Sequence, residues 1–167
     1  MTSNVLLRSG TDTWETPQWL FNQLDNEFGF TLDVCALPAT AKCDRYFTPD
    51  DDALIQNWGG DGAVCWMNPP YSRGLITPFM LKARAEAERG AQVVCLVAAR
   101  TDTRWWWEVC TYGEIRFIRG RINFVGGKNG STFPSAVVIL HPYLQTQLTL
   151  WDDTFAQQSA TQKRLIT

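Results

Sequence analysis

Two runs, Ala63-Val64-Cys65-Trp66-Met67 and Val93-Val94-Cys95-Leu96-Val97, restrict this chain more than anything else in it. Each is of strand length and lacks a polar position, which suits a strand covered on both faces. Between them, residues 78–89 carry Phe79, Met80, Ala83 and Ala87 on one helical stripe, with Lys82, Arg84, Glu86, Glu88 and Arg89 on a wet face. Strand, amphipathic helix, strand is the signature of a parallel sheet with helices packed on it.

The flanking sequence fits that frame. Thr16 reads as an N-cap and Pro17 as the first helical residue, with Trp19, Leu20, Leu24 and Phe28 as the buried stripe and Gly29 as the stop. Residues 30–34 and 45–48 read as short strands, 53–58 as a turn of helix and 101–110 as a helix. Residues 115–118 and 136–140 are further strands, with 122–125 a candidate partner. The expected fold is an α/β sandwich, its sheet mostly parallel with antiparallel C-terminal strands. Residues 1–14 read as a flexible arm, 15–145 as the domain and 146–167 as an appendage.

A chain of 167 residues, 45% hydrophobic, builds one core and not two, so a single domain must do everything. No apolar run approaches the roughly 18 residues of a membrane span, and the start lacks a signal-peptide core. A soluble cytoplasmic protein with no membrane partner is expected. Five cysteines without a C-x-x-C pair and a lone His141 argue against a zinc ribbon, a disulfide framework or a Ser/His/Asp triad, and no metal is expected. His141 reads as a strand-end residue. Aromatic residues are in excess, with 8 Trp, 9 Phe and 4 Tyr. Neighbouring residues on a helix lie about 100° apart, so Trp105, Trp106 and Trp107 cannot all face the core, and two are expected inside.

Ligands of open α/β sheets bind beyond the carboxyl ends of the strands. Three polar groups fall there: Asp33, Asn68 to Tyr71, and Arg100 to Asp102. The most informative is Asn68-Pro69-Pro70-Tyr71, because successive prolines fix two φ angles and remove two N–H donors, so that acceptor oxygens stand on a stiff frame. The Asn68 amide oxygen and the Pro69 carbonyl can converge on an NH2 attached to a planar ring, with Tyr71 placed to stack on that ring. Two acceptors on the amine hydrogens favour a pyramidal nitrogen whose lone pair can attack an electrophilic methyl, and positioning supplies most of the effect. In an arbitrary protein the same tetrapeptide is a rigid turn over a packed aromatic; the strand before it and the helix after it favour chemistry.

The residues beyond the tetrapeptide, T-L-D-V-C-A, Ala41-Lys42-Cys43, Tyr46-Phe47-Thr48 with Asp52-Ala53-Leu54, W-M-N-P-P-Y-S, A-R-T-D-T-R-W-W, G-R-I-N-F and F-P-S-A, resemble the small phage-type DNA adenine-N6 methyltransferases. The resemblance runs from about Glu15 to about Leu140. It implies a shortened Rossmann-like fold, S-adenosylmethionine as cofactor and DNA as partner, in the host cytoplasm if phage-encoded. Carried over by position, it makes Asn68, Pro69, Pro70 and Tyr71 the catalytic turn that holds a flipped adenine. It sets Thr16, Pro17, Asp33 and Cys35 by the cofactor, with Asp52 or its neighbour Asp51 near the ribose or adenine. One departure stands out: the segment 33–38 has no glycine, unlike the loop of many such enzymes, so Cys35 and Ala36 do not offer the usual close backbone approach. Only 35 positions separate Asp33 from Asn68, which implies a shortened or lost β-α unit.

Net charge is -2 overall but uneven. Residues 1–60 set Arg8, Lys42 and Arg45 against nine acids, whereas residues 100–128 set six cations against Asp102, Glu108 and Glu114. Arg73, Arg100, Arg104, Arg119, Arg121 and Lys128 are therefore the expected DNA-contacting rim, against the plainer reading of ordinary surface charge. The acidic run Asp50-Asp51-Asp52 lacks the spaced ligands of a cation site. With no room for a recognition domain, a short or relaxed target sequence is expected, from a monomer or a homodimer. Two other readings remain open: methylation of RNA or of a protein glutamine, separable by product analysis, and an inactive interaction module that keeps the fold, separable by cofactor binding.

Overall fold

The computed structural model describes residues 14–72, 74–126 and 131–143. Arg73, Lys128 and the appendage 146–167 lie outside the described residues, as does the arm up to residue 13. The elements are α1 (Gln18–Phe28), β1 (Leu32–Asp33), β2 (Val64–Met67), α2 (Ile76–Glu88), β3 (Gln92–Ala98), α3 (Arg104–Glu108), β4 (Glu114–Phe117) and β5 (Ser135–Leu140). Among the described residues the strands form one five-stranded sheet in the order β1-β2-β3-β5-β4. β1, β2 and β3 are parallel, and β5 is antiparallel to both β3 and β4. β4 therefore runs in the direction of the first three strands, and all four release their chains along one edge. The expected α/β sandwich is what the chain forms, and the two apolar runs are its central strands.

Every residue of β5, and all of β3 but Gln92, is buried. Trp58, Trp66, Met67, Met80 and Leu96 are also inaccessible, so the core lies on both faces of the sheet. Both faces need cover, and that is why the interior strands carry no polar alternation.

Several local expectations shift. Pro17, not Thr16, caps α1: its extended ψ of 136° precedes the first turn, and its carbonyl accepts from the Leu20 and Phe21 amides at 3.1 and 3.2 Å. Trp19 is 61% exposed; the helix rolls toward Phe21, which packs edge-to-face on Trp66 at 5.7 Å. Gly29 ends the helix as expected, at φ 68° in the left-handed region. α2 starts at Ile76, and Pro78 sits in its first turn, where no intrahelical N–H is missed. The expected helix over 101–110 breaks after Glu108 into a 3-10 turn at Cys110–Tyr112. Trp105 and Trp106 are buried and Trp107 is half-exposed, as the angular argument required.

Two expected strands do not form. The 45–48 segment makes a single bridge, Asp33 to Tyr46, beside β1 before Pro49 turns it away. The 122–125 segment lies outside the sheet: Val125 bridges Glu15, and Ile122 and Phe124 are buried. Residues 53–58 form turns, and the Trp58 indole donates to the Ala53 carbonyl at 2.8 Å. No helix lies between β1 and β2, in line with the short spacing from Asp33 to Asn68. His141 follows directly on β5, with its Nε2 3.6 Å from Glu114.

Glu86, placed by the sequence on the wet face of α2, is fully buried. It is tolerated because Lys82 reaches its Oε1 at 2.7 Å and Arg89 at 3.2 Å, while Oε2 has no partner. Lys82→Met strands that carboxylate with one cation. The expected loss in chemical denaturation is about 1–3 kcal/mol, and Glu86→Leu in the same background recovers much of it; no loss in Lys82→Met contradicts the pairing.

Candidate active site

A cleft opens beyond the carboxyl ends of β1 and β2. Its walls are the strap Trp14-Glu15-Thr16, the loop Asp33 to Leu37, Lys42, the Phe47 to Pro49 segment with Ala53, and Asn68 with Pro70. Glu15 bridges Val125, with the Val125 amide on its carbonyl at 3.0 Å, so the segment that failed to become a strand holds the strap in place. Trp14 packs edge-on against Phe124 and Phe133 at 5.4 and 5.7 Å.

Asp33 ends β1 with a carboxylate that is 3% exposed. Oδ1 accepts the Cys35 amide at 3.2 Å and Oδ2 the Lys42 amide at 3.0 Å, which folds the intervening loop around it. Burial outweighs these bonds and raises its pKa above the ordinary carboxylate value. The missing glycines have a counterpart here. The Cys35 amide is spent on Asp33, and the Ala36 amide donates to the Phe47 carbonyl at 3.0 Å. Burial and the neighbouring Asp33 push the Cys35 thiol well above its usual range, so it is no nucleophile.

Asn68 leaves β2 one residue after Met67, which pairs with Cys95. Its Nδ2 donates to the Trp14 carbonyl and to the Thr16 hydroxyl, the latter at 3.1 Å. A backbone carbonyl can only accept, so these contacts determine which end of the amide is oxygen. That oxygen lies 2.8 Å from the Tyr71 hydroxyl, which is also 3.0 Å from the Leu96 carbonyl. Tyr71 is only 9% exposed, packed edge-on against Phe133 at 5.1 Å, and burial pushes its hydroxyl up, so the ring is less open to stacking than the sequence suggested. It borders a second hollow with Ile76, Ala98, Arg100, Thr103 and Trp105. The Asn68–Tyr71 turn thus has Asn68 and Pro70 on one cavity and Tyr71 on the other.

Of the expected cofactor residues, Thr16, Asp33 and Cys35 gather at the cleft. Pro17, Asp51 and Asp52 do not line it. Asp51 accepts from the Thr48 amide and hydroxyl, both at 2.7 Å, which hold its carboxyl below the usual range. Asp52, at φ 54°, accepts the Leu54 amide. On the basic side, Arg100, Arg119 and Arg121 are exposed, and no described acid is within ion-pair distance of them. Arg100 follows β3, and Arg119 and Arg121 follow β4, at the same sheet edge as Asn68. Arg104 is paired with Glu108. Arg116, counted in the basic segment, is taken by Glu27 at 2.7 and 2.8 Å and by Glu114 at 2.6 Å. Sequence reasoning missed Trp14, Glu15 and Lys42; the signal available for Lys42 was a rare cation in a strongly acidic segment.

Because the folded-state value of Asp33 lies above the unfolded one, its contribution to stability is fully present below 3.8 and is lost as pH rises through the raised value. Chemical denaturation of wild type and Asp33→Asn at pH 4 and pH 7 is expected to show a wild-type advantage that is larger at pH 4. An advantage that grows toward pH 7 contradicts this ordering.

The family model for DNA N-6-adenine-methyltransferase (Dam) matches residues 3–163. The DNA N-6-adenine-methyltransferase of Haemophilus phage HP1 (strain HP1c1) is 31% identical over 152 residues, covering 85% of this chain and 86% of the relative. That of Escherichia phage T1 is 29% identical over 136 residues, 71% of this chain and 56% of the relative. With exposed arginines along one sheet edge, a buried strand-end carboxylate and an oriented Asn68 amide already in place, the match over nearly the whole length completes the assignment: the chain belongs to the DNA N-6-adenine-methyltransferase (Dam) family.

Proposed function

We propose that the two hollows on either side of Asn68–Tyr71 are the two halves of one transfer site, the methyl donor in the cleft over Asp33 and the adenine in the hollow beside Tyr71. The reaction is methylation of adenine N6 in DNA, as family membership and the phage relatives support. The observation that carries the two-sided reading is the position of Asn68, whose turn borders both spaces.

The cleft fits S-adenosylmethionine by the chemistry of its lining. Phe47, Pro49, Ala53 and Phe79 offer apolar area for a nucleoside base, while Asp33, Thr16 and Glu15 offer polar groups. When bound, that cofactor supplies an electrophilic methyl on a sulfonium. The chain supplies position. Asn68 Oδ1 and the Pro69 carbonyl accept the hydrogens of the exocyclic amine and leave its lone pair out of the ring plane. Asn68 can do so because Trp14 and Thr16 hold its NH2 and leave only the oxygen for a donor. Tyr71 need not be displaced, since its hydroxyl keeps the Leu96 carbonyl when the amine arrives. Its ring forms part of the wall against which the extruded base rests. Arg100, Arg119 and Arg121 meet phosphates along the sheet edge, and Arg104 is a further phosphate contact; Arg73 and Lys128, expected in the same role, lie outside the described residues. Asp51 and Asp52 shape the loop that carries Thr48 and Pro49 to the cleft.

Incubation with methyl-labelled S-adenosylmethionine and DNA, RNA or protein tests the function. Label is expected in DNA, recovered as N6-methyladenine; label in RNA or glutamine instead contradicts it. In the same assay Asn68→Ala is expected to lower kcat about 10²–10³-fold, as for loss of one preorganised polar contact, with cofactor affinity near wild type. Thr16→Ala removes one of the two contacts that orient the amide and lowers kcat less, and Thr16→Ser keeps the wild-type rate. Wild-type turnover by Asn68→Ala contradicts the role given to this residue.

A further inference from the structure

Lys42 gives its backbone amide to Asp33, while its side chain turns to Glu15 and Gln18. Its side chain is 8% exposed, and its ammonium lies 3.2 Å from Glu15 Oε1 and 3.1 Å from Gln18 Oε1. Three N–H donors with two partners leave one donor over. Among the described residues lining the cleft, Lys42 is the one cation, set against two acids, Glu15 and Asp33.

The methyl donor proposed above ends in an amino acid, with one ammonium and one carboxylate beside the sulfonium. Its formal charge is +1, and the lining carries the opposite sum, two carboxylates and one ammonium. The carboxylate of that tail must find donors in the cleft, because an unpaired carboxylate there is costly. Backbone amides of the loop after β1 are the expected source, but Cys35 has given its N–H to Asp33 and Ala36 to Phe47. The Lys42 amide is likewise spent on Asp33. The charged donor that remains is Lys42 Nζ, bonded to Glu15 of the cleft lining and to Gln18.

We propose that Lys42 is the residue that binds the carboxylate of the methyl donor, with Glu15 and Gln18 as positioning residues that hold its ammonium at the wall. In this chain a side-chain cation thus replaces the backbone donors that a glycine-rich loop would present. This role rests on S-adenosylmethionine being the cofactor, and the test separates the two.

Calorimetry of the full chain with S-adenosylmethionine and with decarboxylated S-adenosylmethionine isolates the carboxylate, since the two share the nucleoside, the sulfonium and the ammonium. Wild type is expected to bind the carboxylate-bearing form about ten- to a hundredfold tighter, the size of one charge-assisted hydrogen bond. In Lys42→Met the two affinities are expected to converge, through loss of the first and not through gain of general affinity. Should Lys42→Met not fold, Lys42→Gln makes the same comparison while keeping a donor for Glu15. A preference that survives both substitutions overturns the role of Lys42, as does a wild type that binds the two forms alike. If wild type binds neither form, the cofactor reading itself fails and this one with it.

Discussion

The amide of Asn68 ties the molecule together. Its nitrogen reaches back more than fifty residues to the Trp14 carbonyl and the Thr16 hydroxyl, and its oxygen faces the Tyr71 hydroxyl. The strap is pinned in turn by the bridge between Glu15 and Val125 and by the packing of Trp14 on Phe124 and Phe133. A side chain at the end of β2 therefore depends on the chain's first described residues and on the loop before β5. One amide is oriented by two distant segments, and the turn that carries it separates two cavities.

The frame of the fold was legible because burial on both faces leaves a plain mark: two apolar runs and a striped helix between them became β2, β3 and α2. Asp33 and Asn68 were legible for the same reason, as polar residues at the ends of such runs. What escaped was decided by tertiary competition. Residues 122–125 have strand-like alternation, yet their hydrogen bonds go to Glu15 and Ser131, and Phe124 is buried against Trp14 and Phe133. Glu86 sits on the predicted wet face but is covered, because paired cations make burial tolerable. Trp19 lost its place to Phe21, which has the better edge-to-face partner in Trp66. Lys42 and Glu15 lie 27 residues apart, and a pair made across a fold has no sequence period to reveal it.

Charge follows the same division. The acidic first third folds around the cleft over β1, where Asp33 and Glu15 stand. Arg100, after β3, lines the hollow beside Tyr71, and the exposed Arg119 and Arg121 follow β4 at the same sheet edge. Arg116, by contrast, is consumed in clasping β4 to α1 through Glu27. The acidic cleft and the basic sheet edge thus carry opposite sign, and a net charge of -2 hides both.

The central claim is that Asn68–Tyr71 divides a donor site from a base site. A crystal structure of the protein with S-adenosylhomocysteine tests it most directly. The nucleoside is expected against Phe47, Pro49 and Ala53, the thioether near Asn68, and the hollow beside Tyr71 and Arg100 left free for a base. A nucleoside seated in that second hollow, between Arg100 and Trp105, would contradict it.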